Sequence, residues 1–156
     1  MNSPVATAPL HRSLSFPQRA GPQHLPAALD FVRETLAEWH LPPASEGTST
    51  TAHDAVLVTA ELVTNAIEHA AGPRSLDLDH CHGLLRIAVT DRSTARPVPY
   101  RHRGASRTGG RGLHIIGALT DHWGTMPLPG GKTVWAEIPV TGPHGAAGGP
   151  GRPSPT

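Results

Sequence analysis

"PGGKTVWAEIPV", residues 129–140, contains Gly131-Lys132-Thr133, the three residues that close a phosphate-binding P-loop. The triplet raises the question of whether a nucleotide is held here. It requires a glycine five positions before Gly131 and a helix afterwards, whose N-terminal amides face the phosphates. Position 126 is Met126, and the run Val134-Trp135-Ala136-Glu137-Ile138 is β-branched and aromatic and is stopped by Pro139. Such a run reads as a strand, so the paired glycines make a turn and the segment closes a sheet.

Working outward, a second closing strand is expected near Trp123 to Met126, and a short helix, Leu113 to Leu119, precedes it. Upstream, Ser75 to Asp79 alternates and Leu84 to Thr90 is apolar around Ile87 and Val89, two paired strands with a turn at His82-Gly83. Before them lies the strongest helix, Thr51 to Ala70, with apolar Ala55, Val56, Val58, Leu62, Val63, Ala66 and Ile67, closed by Gly72-Pro73. An earlier helix carries Leu25, Ala28, Leu29, Val32, Leu36 and Trp39 at helical spacing and stops before Pro42-Pro43. A first strand is expected around Ser13 to Phe16. Strands and helices segregated in this way predict an α+β fold, a two-layer sandwich of a mixed, mainly antiparallel sheet and about three helices.

The chain has 156 residues, one cysteine and a net charge of +1. That length suits one domain with a real core. Residues 1–12 are polar and punctuated by proline and are expected to be a flexible segment. Residues 13–140 form the domain, and residues 141–156, rich in glycine and proline, form a disordered tail. The near-neutral charge, without a lysine or arginine run, argues against a nucleic-acid surface or an anionic membrane as partner. Cys81 alone makes no internal disulfide, no apolar run approaches a membrane span, and the N-terminus lacks a basic start and an apolar core. A cytoplasmic setting is expected.

Three clusters carry chemistry. In "AELVTNAIEHA", residues 60–70, Glu61, Asn65 and His69 are four apart and lie along one face of a helix. An amide oxygen suits a hard cation and a neighbouring carboxylate can accept a proton, so the pair fits a magnesium phosphate site. A solvated helix face has the same pattern. In "AVTDRSTARP", residues 88–97, Asp91 ends an apolar strand, where a carboxylate can accept the exocyclic amine of adenine or simply cap the strand in an Asx-turn. In "RTGGRGLHIIGAL", residues 107–119, Gly109, Gly110 and Gly112 open a helix. Their amides can cradle phosphates, with Arg107 or Arg111 adding charge. As a dinucleotide fingerprint this last motif fails, because Ile115 occupies the third glycine position.

The order of these clusters resembles the GHKL (Bergerat) ATPases, the ATP-binding superfamily of gyrase and the histidine kinases. Within it the chain is most similar to the small bacterial anti-sigma-factor serine/threonine kinases, through "ELVTNAIEHA", "GGRGL" and "GGKTVWAEIP". The resemblance implies Glu61 as catalytic base, Asn65 as Mg²⁺ ligand and Asp91 as adenine reader. It implies Gly109, Gly110, Gly112 and Leu113 as the glycine box around the triphosphate, residues 94–108 as the ATP lid, and Thr133 near the adenine. His69 and Ser93, with Arg107 and Arg111, complete the candidate ATP-contacting set. Ser93 stands where the wider superfamily has glycine, and Pro97 and Pro99 begin the lid.

By the same resemblance the protein phosphorylates an anti-sigma-factor antagonist, sequesters a sigma factor and forms a homodimer. The rival expectation is a regulator that works by occlusion alone, with ATP as a structural ligand or not bound at all. His80-Cys81-His82 has no second cysteine or spaced histidine to complete a zinc site, and Ser93 lacks the histidine and acid of a nucleophile.

Overall fold

The computed structural model describes residues 8–19, 21–41, 51–95 and 111–140, with only the backbone described at 111–113. In chain order the elements are β1 (Leu10–Ser15), α1 (His24–Glu38), α2 (Thr51–His69), β2 (Pro73–Cys81), β3 (Leu84–Asp91), α3 (Arg111–Leu119), β4 (His122–Leu128) and β5 (Gly131–Pro139). The five strands form one sheet in the order β1-β2-β3-β5-β4, and every pair is antiparallel. The expected α+β sandwich is therefore present, with a wholly antiparallel rather than mixed sheet among the described residues. Strand β1 begins at Leu10, three residues earlier than its composition predicts, because Leu10, His11 and Arg12 pair with His80, Asp79 and Leu78. Pairing to a long neighbour extends a strand through polar residues that propensity alone would leave out.

The sheet has two unlike faces, set by the two-residue side-chain period. On one face Leu76 and Leu78 of β2, Leu85, Ile87 and Val89 of β3, and Val134, Ala136 and Ile138 of β5 are buried. They meet Val58, Leu62, Val63 and Ala66 of α2 and Ala28, Val32 and Leu36 of α1 in one core. Each fully buried aliphatic side chain contributes about 1.5–3 kcal/mol, which is why the helices are held on this face. The opposite face carries Thr90, Arg86, Trp135 and Glu137. Arg86 lies 4.2 Å from the Trp135 ring centroid and pairs with Glu137 at 3.2 Å.

Two turns fix the register. His82 and Gly83 both have positive φ, 50° and 75°, the type I′ pattern of a two-residue hairpin between β2 and β3. At the end of α2, Ala71 sits at φ 56° while the Gly72 N–H donates to the Ala66 carbonyl at 2.8 Å, a left-handed helix cap built on a residue with a side chain. Left-handed backbone costs an L-residue about 1–2 kcal/mol, partly offset for glycine by chain entropy. Ala71→Gly is therefore expected to raise unfolding stability by up to about 1 kcal/mol in urea titration; a loss of stability would contradict the strain assigned to this cap.

Candidate functional site

Asp91 is the last residue of β3, on the helix-facing side of the sheet, and only 2% exposed. A carboxylate so buried needs partners. Its Oδ1 accepts the Ser93 backbone N–H at 2.8 Å, the Asx-turn anticipated at this strand end. The ammonium of Lys132 lies 3.0 Å from Oδ1 and 2.9 Å from Oδ2. Lys132 reaches it because Asp91 and Lys132 are direct cross-strand partners of β3 and β5, whose side chains leave the sheet on the same side.

The residue before Lys132 must be glycine here. A Cβ on Gly131 would stand 2.1 Å from the Asp91 carbonyl oxygen. Gly131→Ala is expected to force the ends of β3 and β5 apart and to cost about 1–3 kcal/mol in denaturant unfolding; an unchanged midpoint would show that the strand ends give way freely.

Helix α2 lies against β3 and β5 and presents Glu61 and Asn65 half-buried, with His69 exposed at its end. Burial raises the Glu61 pKa above the usual glutamate value, and the negative charge of Glu68 raises it further. A carboxyl shifted in this direction is a better proton acceptor once ionised. His69 is 3.6 Å from the Glu68 carboxylate. Leu62, Val63 and Ala66, which interleave with Glu61 and Asn65, are buried and hold this face in place.

Ser93 adjoins Asp91 through its backbone, and its carbonyl lies 3.4 Å from Lys132 Nζ. Its hydroxyl accepts the Ala95 N–H at 3.2 Å. Thr133 is not brought to this side. It pairs with Thr90, their hydroxyls 2.8 Å apart, on the face of the sheet away from the helices. The residue of the Gly-Lys-Thr triplet that meets Asp91 is Lys132, which the family resemblance does not single out. Its signal was parity: Lys132 shares the face of Val134, Ala136 and Ile138. Arg107, Gly109 and Gly110, and the expected lid from residue 96 onward, lie outside the described residues. Arg111, Gly112 and Leu113 form the first turn of α3, whose amides are unpaired within the helix.

A carboxylate offers about four acceptor positions, and Ser93 and Lys132 leave room for an amine donor. Among the described residues no three His, Cys, Asp or Glu side chains gather to hold a metal ion. A Mg²⁺ ion held through Asn65 would draw its other ligands from phosphate oxygens and water, as this cation commonly does. No helix of the described residues is long and apolar enough to cross a membrane.

Comparison with known proteins bears on the fold and the family. No curated protein matches the chain. Among solved structures, the chain is similar to the RsbU and RsbW domains of Rv1364c from Mycobacterium tuberculosis, at 24% identity and a TM-score of 0.57. The match covers 86% of this chain and 32% of that one, so the chain spans about a third of that protein, and the likeness carries the fold. Residues 18–138, from ahead of α1 into β5, match the histidine kinase-like ATPase domain. With most of its length covered by that match, the chain belongs to the histidine kinase-like ATPase domain family.

Proposed function

We propose that this domain binds MgATP and transfers its γ-phosphoryl group to a serine or threonine of an anti-sigma-factor antagonist, and that it sequesters a sigma factor. The observation that carries the reading is the placement of Glu61, with its raised pKa, on the same helix face as Asn65, on a helix packed against the strand that ends in Asp91. Asp91 accepts the adenine amine, Asn65 holds the cation, and the α3 N-terminus faces negative charge. When bound, Mg²⁺ neutralises phosphate charge as the transition state forms. Glu61 takes the proton of the attacking hydroxyl while the new oxygen–phosphorus bond forms and the bond to the β-phosphate breaks.

The likeness to a structure that includes an RsbW domain supports a regulator of this kind, and the partner assignment rests on it by analogy. The test is transfer of γ-labelled phosphate from ATP to a purified antagonist domain. Label on the antagonist supports the kinase. Binding of the antagonist or of a sigma factor without label would favour the rival reading, regulation by occlusion. One feature favours that rival: Asp91 already holds a buried cation in Lys132, so nucleotide entry is not needed to satisfy it.

A further inference from the structure

We propose that Lys132 is the second half of the base-reading site, donating a hydrogen bond to the purine N1 while Asp91 accepts the N6 amine. The inference rests on the assignment of Asp91 to adenine. Lys132 is 7% exposed, and an ammonium has three N–H donors. Among the described residues these meet only Asp91, at 2.9 and 3.0 Å, and the Ser93 carbonyl at 3.4 Å. With one N–H bridging the two carboxylate oxygens and one turned toward Ser93, the third is available to an acceptor on a ligand. A ligand acceptor placed beside Asp91 would take that N–H in a hydrogen bond to a charged donor, one of the stronger kinds.

Adenine offers the complement. Along its Watson–Crick edge it presents a donor, the N6 amine, next to an acceptor, N1. Asp91 and Lys132, paired across β3 and β5, present an acceptor next to a donor. Guanine presents O6 and N1–H in the same places, an acceptor against the carboxylate and a donor against the ammonium. Both contacts are then wrong, and sites built on buried hydrogen bonds reject such mismatches strongly. Gly131 keeps the two strand ends close enough for the pair to form, since a Cβ there would strike the Asp91 carbonyl.

The test is calorimetric binding of MgATP, Mg-1-deaza-ATP and MgGTP to the full chain and to Lys132→Met. 1-Deaza-ATP keeps the N6 amine and replaces N1 by C–H. The wild type is expected to bind it about 10- to 100-fold more weakly than ATP, the range of a hydrogen bond to a charged donor, and to show no binding of GTP. In Lys132→Met, ATP and 1-deaza-ATP are expected to bind alike, both weakly. Equal binding of the two by wild type, or discrimination that survives in Lys132→Met, overturns the proposal while leaving Asp91 as the adenine acceptor. Should Lys132→Met fail to fold by circular dichroism, Lys132→Gln replaces it, with the discrimination expected to shrink; a full wild-type ratio in that variant counts against Lys132. Failure of the wild type to bind any of the three nucleotides sinks the nucleotide site itself and this proposal with it.

Discussion

Glu61→Gln is expected to slow phosphoryl transfer about 10²- to 10⁴-fold, the usual worth of a general base, while MgATP binds with nearly wild-type affinity. The amide keeps the shape and polarity of the side chain and removes only its capacity to take a proton. Single-turnover transfer of labelled phosphate measures the first quantity and calorimetry the second. Loss of both together would mean that Glu61 supports the site and does not act on the proton; transfer at the wild-type rate would remove it from the mechanism.

The pH profile carries a linked expectation. Burial and Glu68 push the Glu61 pKa up, so the acid limb of the rate profile should lie above the ordinary glutamate range, and Glu68→Gln should move it down. The sign for stability is the opposite of that for a salt-bridged carboxylate. The folded state favours protonated Glu61, so its contribution is present below the ordinary glutamate pKa and is lost as pH rises through the raised one. An acid limb unmoved by Glu68→Gln would show that Glu68 does not act on the base.

Asp91→Asn is expected to weaken ATP binding by about 10- to 100-fold or more, again the worth of a hydrogen bond to a charged group. Three donors converge on this side chain when adenine is bound: the Ser93 N–H, the Lys132 ammonium and the N6 amine. A carboxylate can serve all three. The amide has one acceptor oxygen, and whichever way it turns, its NH₂ meets a donor. The substitution also strips the countercharge from buried Lys132, and breaking a buried ion pair costs about 3–5 kcal/mol. Binding is therefore compared at a temperature where circular dichroism shows the variant folded. Wild-type affinity in a folded Asp91→Asn would move the adenine site elsewhere.

The fold was legible because its signals are local. The helical spacing of Ala55, Val58, Leu62 and Ala66 marks α2 to within a residue of its end, and His82-Gly83 is the turn that its positive φ angles require. Asp91 was legible as a polar residue ending an apolar strand. What surrounds it was not, because a strand's partner and register are non-local: nothing near residue 91 says that residue 132 will stand opposite. The family resemblance implies Thr133 near the adenine, whereas strand parity sends Thr133 to the far face with Thr90 and turns Lys132 toward Asp91. Likewise the early start of β1 depends on β2, not on its own polar residues. Glu61 and Asn65 show the limit from the other side. Their spacing identifies a shared face, yet the raised pKa of Glu61 follows first from the burial of that face and then from the nearby charge of Glu68.

Titration of the wild-type chain with MgATP in a calorimeter tests for the proposed nucleotide site between α2 and the strand ends that carry Asp91 and Lys132. Saturable, one-to-one binding is expected, on the order of micromolar, abolished by omission of the nucleotide's adenine and weakened in Asp91→Asn. Absence of heat on titration, together with no shift in the thermal midpoint at millimolar MgATP, would contradict it.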